Sequence, residues 1–201
     1  MSAWASAPAL VTDGRLTILG HPVMEDWEAP YLERLATIAS RNGGAVLELG
    51  FGLGISARAI QRHDIKCHLI VEANAQVYRR LEQFARAAAK PVEPLFGLWQ
   101  DVAPSLPDGS VDGILFDTYP LREDEVHRNH FFFFREAYRL LKPGGVFTYY
   151  SDEIADLSVL HRSRLHDAGF SSVEAEICPV SPPPSCVYWR SPTIVAPIVR
   201  K

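Results

Sequence analysis

Asp117 closes the apolar run DGILFD (112–117) and is followed by a turn-forming Thr-Tyr-Pro. A carboxylate at the mouth of a buried strand has to be held by a cation, by hydrogen-bond donors or by water. A second group of the same kind lies upstream. Gly50, Gly52 and Gly54 alternate in VLELGFGLG (46–54), directly after an apolar run and before a helical pattern. Glycines there permit positive φ angles and let a ligand approach the backbone closely. Glu72 ends the next apolar run, 22 residues after Gly50. That is where an acidic side chain accepts hydrogen bonds from ribose hydroxyls. Together these residues suit a nucleoside ligand. Taken singly, the glycines make a tight strand–helix turn and Asp117 a turn residue.

The elements that must position these groups alternate along the chain. AVLELG (45–50), CHLIVEA (67–73), VEPLFG (92–97), DGILFD (112–117) and GVFTYYS (145–151) read as strands. Helical patterns cover ISARAIQRH (55–63), the run from Asn74, NHFFFFREAYRLLK (129–142) and DEIADLSVLHRSRLHDAG (152–169). A further helix spans 25–41, with Trp27, Tyr31, Leu35 and Ile38 at helical spacing, and begins or kinks at Pro30. Two strand-like runs, 172–180 and 185–199, flank VSPPPS and suit an antiparallel pair. Residues 1–20 read as an irregular N-terminal arm and 21–201 as one domain. The expected fold is α/β: a mostly parallel seven-stranded sheet, helices on both faces, and an antiparallel C-terminal strand. Ligands in such folds bind beyond the carboxyl ends of the strands, where strand order reverses. The site is therefore expected at Glu48–Gly54, Glu72, Trp99–Asp101, Asp117 and the start of the helix after Ser151.

Bulk properties narrow the partners. A net charge of −4 implies no basic face, so no nucleic-acid partner is expected. The three cysteines contain no C-x-x-C pair, which suits a reducing compartment. The start, MSAWASAPALVTDGR, lacks the charged start and long apolar core of a signal peptide, and no apolar run approaches membrane-span length. A cytoplasmic protein without a membrane partner is the expectation. His127 and His130 share a spacing of three, but no third residue has metal-ligand spacing, so no metal site is expected. G-x-S-x-G is absent, which removes the hydrolase reading.

A dinucleotide fingerprint needs glycine or alanine at 55, where the chain has Ile55. Glu48 precedes the loop instead, as in the E/D-x-G-x-G-x-G pattern of S-adenosylmethionine-dependent methyltransferases. LKPGGVF (141–147) resembles the turn before the fifth strand in many of those enzymes, though it also reads as a plain helix stop.

Three stretches together resemble one family, the guanidinoacetate N-methyltransferases: ILGHPVMEDWEAPY (18–31), VLELGFG (46–52) and GLWQDVAPSLPDGSVDGILFDTYPL (97–121). The resemblance runs from about Leu16 to Tyr149 and implies a Rossmann-like class I methyltransferase fold with S-adenosyl-L-methionine as cofactor. It places cofactor contacts on Met24, Leu32, Phe51, Gly52, Leu53, Gly54, Ile55, Ser56, Glu72, Asn74, Trp99, Gln100 and Asp117. Trp4 corresponds to an N-terminal tryptophan that covers the cofactor. Glu48 and Gly50 belong to the loop motif. The guanidino-binding carboxylates fall on Glu28 and Asp117. By periodicity alone Glu28 reads as a solvated helix-face charge; only the resemblance gives it a role.

Two departures bear on the substrate. Position 100 is Gln where the family usually has an acid, and YYSDEIADLSVLHRSRLHDAGF lacks the family's Leu-Thr pair that receives the substrate carboxylate. Asp152 and Glu153 stand there instead, and acidic groups suit an amino group better than a carboxylate. The implied reaction is methylation of the guanidino group of a small molecule, with guanidinoacetate, giving creatine, as leading substrate. Free L-arginine or a relative is the alternative. Asp117 would take the departing proton and Glu28 orient the group, with Asp152 and Glu153 as further substrate contacts. A protein substrate is disfavoured because no second domain is evident to build a peptide groove. A homodimer is left open, as is a non-catalytic nucleoside-binding module.

Overall fold

The computed structural model describes residues 3–121 and 125–201. A short helix α1 (Ala3–Ser6) leads into strands β1 (Ala9–Thr12), β2 (Arg15–Ile18) and β3 (His21–Glu25), an antiparallel three-stranded sheet in that order. This corrects the expectation of an irregular arm over 1–20, of which residues 1–2 lie outside the described residues. A 3-10 turn, Asp26–Glu28, then opens α2 (Ala29–Ser40), with Pro30 in the first helical turn where its missing N–H is harmless.

The main unit is β4 (Ala45–Leu49), α3 (Ile55–Ile60), β5 (Cys67–Glu72), α4 (Ala75–Ala87), β6 (Val92–Phe96), α5 (Trp99–Val102), β7 (Val111–Phe116), α6 (Asn129–Leu140), β8 (Leu141–Tyr149), α7 (Val159–Asp167), β9 (Ser172–Pro179) and β10 (Thr193–Arg200). Its seven strands lie in the order β6-β5-β4-β7-β8-β10-β9. The first five are parallel, and β10 runs antiparallel to both β8 and β9. The expected sheet is what folds. The helix expected over 152–169 is shorter, because residues 152–158 are irregular and α7 starts only at Val159. There the Val195 N–H bonds to the Glu153 carbonyl, which commits that segment's backbone to β10 instead of a helix. The strand expected over 185–199 likewise begins only at Thr193.

Each central strand feeds two cores. Val46, Leu115 and Val146 pack with α2 and α3 on one face, while Leu47, Ile114, Phe116 and Phe147 pack with α6 on the other. Burial on both faces explains why these strands read as unbroken apolar runs. Each such side chain contributes about 1.5–3 kcal/mol by leaving water. Among the described residues no helix is long and apolar enough to cross a membrane.

The packing of α2 on β7 sets the site. A side chain at Gly113 would collide with the Ala39 carbonyl, so the glycine lets the helix lie directly on the strand. From Ala39 back to Glu28 is about 16 Å at helical rise. From Gly113 forward to Asp117 is about 13 Å of strand. The helix start and the strand end therefore arrive at the same level of the sheet. Tyr31 fixes the alignment: its hydroxyl donates to the Val195 carbonyl at 2.9 Å and accepts from the Ser151 N–H at 3.2 Å.

Candidate active site

Strand order reverses between β5-β4 and β4-β7, so the loops after β4 and β7 part and leave a crevice. The strand ends are in register there. The Gly50 N–H bonds to the Val71 carbonyl, Asp117 N–H to Leu49, and Tyr150 N–H to Phe116. Two cavities open from this row, and Asp117, Thr118, Tyr119, Val23 and Asn129 line both. Asn129 holds the dividing turn by donating its amide to the Thr118 carbonyl (3.0 Å) and hydroxyl (2.7 Å).

The first cavity is bounded by Gly50, Gly52, Met24, Glu72, Trp99, Gln100 and Trp4. The Glu72 carboxylate is anchored by backbone: Oε2 accepts from the Phe51 N–H at 3.1 Å and Oε1 from the Asn74 N–H at 2.7 Å. Burial still outweighs these bonds and those from the Gly52 and Ala73 backbone, and raises the pKa of the group. Gly50 has φ +92°, and a side chain there would collide with the Asp117 carbonyl. At Gly52, φ +53°, it would strike the Met24 thioether. Trp4 stacks on Tyr119 with ring centroids 5.2 Å apart and planes at 3°. Asn74 secures the Trp4 segment from behind. Its Oδ1 caps α4 through the Gln76 and Val77 N–H groups, while its Nδ2 donates to the Trp4 and Ala7 carbonyls, each at 2.9 Å.

The second cavity, of about 370 Å³, contains Glu28, Asp117 and Asp152 with the rings of Tyr119, Tyr150 and Tyr188. Glu28 is 4% exposed; Oε2 accepts from the Glu25 N–H at 2.8 Å and Oε1 from the Tyr150 hydroxyl at 3.0 Å. Burial, and then the charge of Asp117, pushes its pKa up to about 8. Asp117 is pushed up to about 7, by burial first and then by the nearby charges of Glu48 and Asp152. Near neutral pH Glu28 is thus mostly protonated and Asp117 about half so, until a cation enters.

Several residues expected at the ligand line neither cavity. Leu32 is fully buried in the core behind α2. Glu48 points away: its carboxylate accepts from the Ser56 hydroxyl and lies 2.9 Å from His68 Nε2, tying β4 to α3 and β5. Ser56 is used up in that contact, and Ile55 is buried beside it as the first residue of α3. Gly54, at φ +72°, is the N-cap of the same helix. Phe51 packs on Phe84, and Leu53 donates its N–H to the Met24 sulfur at 3.3 Å. The Asn74 side chain is engaged by the Trp4 segment and the α4 cap. Glu153 turns to His161 (3.4 Å) and the Ser158 N–H (3.2 Å). Tyr119, Tyr150, Tyr188, His127 and His130 were missed as cavity residues. Tyr119 sits two positions beyond Asp117 and Tyr150 at the end of β8, where a strand-end rule finds them. Tyr188, beyond the proline stretch, carries no such signal.

A nucleoside cradle of glycines and an anchored Glu72, sharing a wall with a second, acidic cavity, defines a class I methyltransferase. The chain belongs to the guanidinoacetate N-methyltransferase family, whose model matches residues 1–201. S-adenosyl-L-methionine is the cofactor, and the close backbone approach allowed at Gly50 and Gly52, beside the Glu72 carboxyl in the same cavity, fits its adenosine end. Among related proteins, "Protein arginine N-methyltransferase 2" of Yarrowia lipolytica is 32% identical over 154 residues, 73% of this chain and 32% of that protein. The protein of the same name from Saccharomyces cerevisiae is 31% identical, over 69% of this chain and 35% of its own length. The chain therefore spans about a third of the length of the curated relatives it matches. Among solved structures, spermidine synthase from Thermotoga maritima superposes with TM-score 0.70 at 17% identity, over 92% of this chain and 65% of that one. M. jannaschii TYW2, solved in complex with AdoMet, gives 0.63 at 14% identity over 100% and 87%. These two share the fold.

Proposed function

We propose that the chain transfers a methyl group to a nitrogen of a guanidino group on a small molecule. One observation carries this reading: Asp117 belongs to both cavities, with the buried Glu28 carboxyl beside it in the second. The bound cofactor would supply a methyl group on a sulfonium sulfur, the C–S bond breaking with its electron pair left on sulfur as a neutral thioether. A guanidinium keeps its charge delocalised and has no localised lone pair to offer. Glu28 and Asp117, once ionised, hydrogen-bond its nitrogens and draw positive charge away from the one that attacks. Asp117, at the shared wall, accepts the proton that nitrogen loses as its bond to the methyl carbon forms. Glu28, held by the Glu25 N–H and the Tyr150 hydroxyl, orients the group for in-line approach. A guanidinium that displaces the protons of both carboxyls relieves the repulsion between the two carboxylates, which a neutral amine does not, so the site favours a cationic ligand.

The family's name points to guanidinoacetate as substrate, with creatine as product. The cavity favours the second reading, free L-arginine or a relative, because Asp152 stands in its wall. The names of the curated relatives add arginine side chains in proteins as a third acceptor with the same guanidino chemistry. Mass spectrometry of reactions containing S-adenosyl-L-methionine and, separately, guanidinoacetate, L-arginine or an arginine peptide tests this. A gain of one methyl on at least one guanidino group is expected. No methylation of any of them, with cofactor bound, overturns the reading.

A further inference from the structure

The cavity around Glu28 and Asp117 carries a third carboxylate, and its setting is unusual. His127 Nδ1 lies 3.2 Å from Asp152 Oδ1, and both residues have left-handed backbones, φ +64° and +58°. Among the described residues two other non-glycine positions do the same, Asp13 and Leu19, and these lie in the tight turns joining β1, β2 and β3. His127 instead precedes α6, and Asp152 follows β8. Strain held at both ends of one contact, on the wall of a ligand cavity, points to a position kept for function. The rest of that wall suits positive charge. Among the described residues lining it there is no lysine or arginine, while the tyrosines Tyr119, Tyr150 and Tyr188 contribute to it. His130 also lines it, 3% exposed, with Nε2 lacking a hydrogen-bond partner; burial, then His161 and His127, keeps this ring neutral.

We propose that the cavity reads two cationic groups on its substrate: a guanidinium at Glu28 and Asp117, joined through an alkyl chain to an amine held by Asp152. This rests on the guanidino reading above and specifies its substrate class. A substrate whose far end is a carboxylate meets Asp152 as a like charge, with His127 in contact with Asp152 and the His161 ring behind it. An ammonium instead takes over the Asp152 contact, and the His127 ring, already 60% exposed, passes to water. The neutral His130 ring offers a hydrogen bond without opposing the charge.

Initial rates and equilibrium binding of 3-aminopropylguanidine, propylguanidine and guanidinoacetate test this in the wild type and in Asp152→Asn. Asparagine adopts the left-handed backbone at least as readily as aspartate, so the substitution removes the charge and spares the local fold. The wild type is expected to prefer the aminopropyl compound over propylguanidine by about tenfold or more, as befits a partly buried charge pair. In Asp152→Asn that ratio falls towards one, and in the wild type guanidinoacetate ranks last. A ratio untouched by the substitution, or guanidinoacetate ranking first in both binding and turnover, overturns the proposal. Propylguanidine has no remote charge and reports on the guanidino reading alone. If it and the other two are neither bound nor methylated, that reading fails and this one with it.

Discussion

Binding a guanidinium should drive protons off the carboxyl groups that receive it. With Glu28 at about 8 and Asp117 at about 7, the empty site holds about 1.7 protons at pH 6.5 and about 0.1 at pH 9. The ligand keeps its own charge throughout that range. Apparent affinity therefore rises with pH, on the order of 100-fold between 6.5 and 9, or about 3 kcal/mol. Calorimetric titration in buffers of different ionisation enthalpy counts the protons directly. Release of between one and two protons at pH 6.5, vanishing by pH 9, is expected. No release at pH 6.5 would refute the account of two protonated carboxyls. The same groups act on stability with a definite sign. Their pKa values are higher folded than unfolded, so their stabilising contribution is full below the ordinary carboxylate range. It is lost as pH rises to about 8.

Two further substitutions separate binding from architecture. Asn74→Ala removes the α4 cap and both bonds to the N-terminal segment. It should lower stability by about 1–3 kcal/mol in chemical denaturation and weaken cofactor binding through the loosened Trp4 cover. Unchanged cofactor affinity would show that Trp4 plays no part in it. Glu48→Gln disturbs the buried contacts to Ser56 and His68 and should destabilise the fold by about 2 kcal/mol. Cofactor affinity should stay within about threefold, since Glu48 lines neither cavity, and a larger loss would return Glu48 to the ligand.

The parts legible in the sequence were those whose burial leaves a pattern. ILF before Asp117 and VLEL before Gly50 are buried on both faces, and apolar runs broken at most by Glu48 and followed by glycine or a turn read as buried strands. Beyond them the signal weakens for physical reasons. The strand Ala9–Thr12 buries one residue of four, so its hydrogen bonds to β2 leave little trace in side-chain type. DEIADLS has helix-compatible composition, yet pairing to β10 and the left-handed Asp152 hold it open. Glu48 looks like a ligand carboxylate because it precedes a glycine loop. The pleat sends it to the face of Val46, and that Ser56 and His68 meet it there depends on tertiary packing, one of them being on the neighbouring strand. Glu28 shows the reverse. Periodicity gives a solvated charge, whereas the close approach permitted by Gly113 buries it beside Asp117.

In the proposed reaction Asp117 takes the proton lost by the methylated nitrogen. Asp117→Asn keeps the shape and hydrogen-bonding capacity of the side chain but cannot accept that proton. Single-turnover methyl transfer to the best guanidino substrate, measured beside equilibrium binding of the cofactor, tests it most directly. The rate should fall on the order of 1,000-fold, with cofactor affinity within a few-fold of wild type. A rate within about tenfold of wild type, with the same methylated product, would contradict the account.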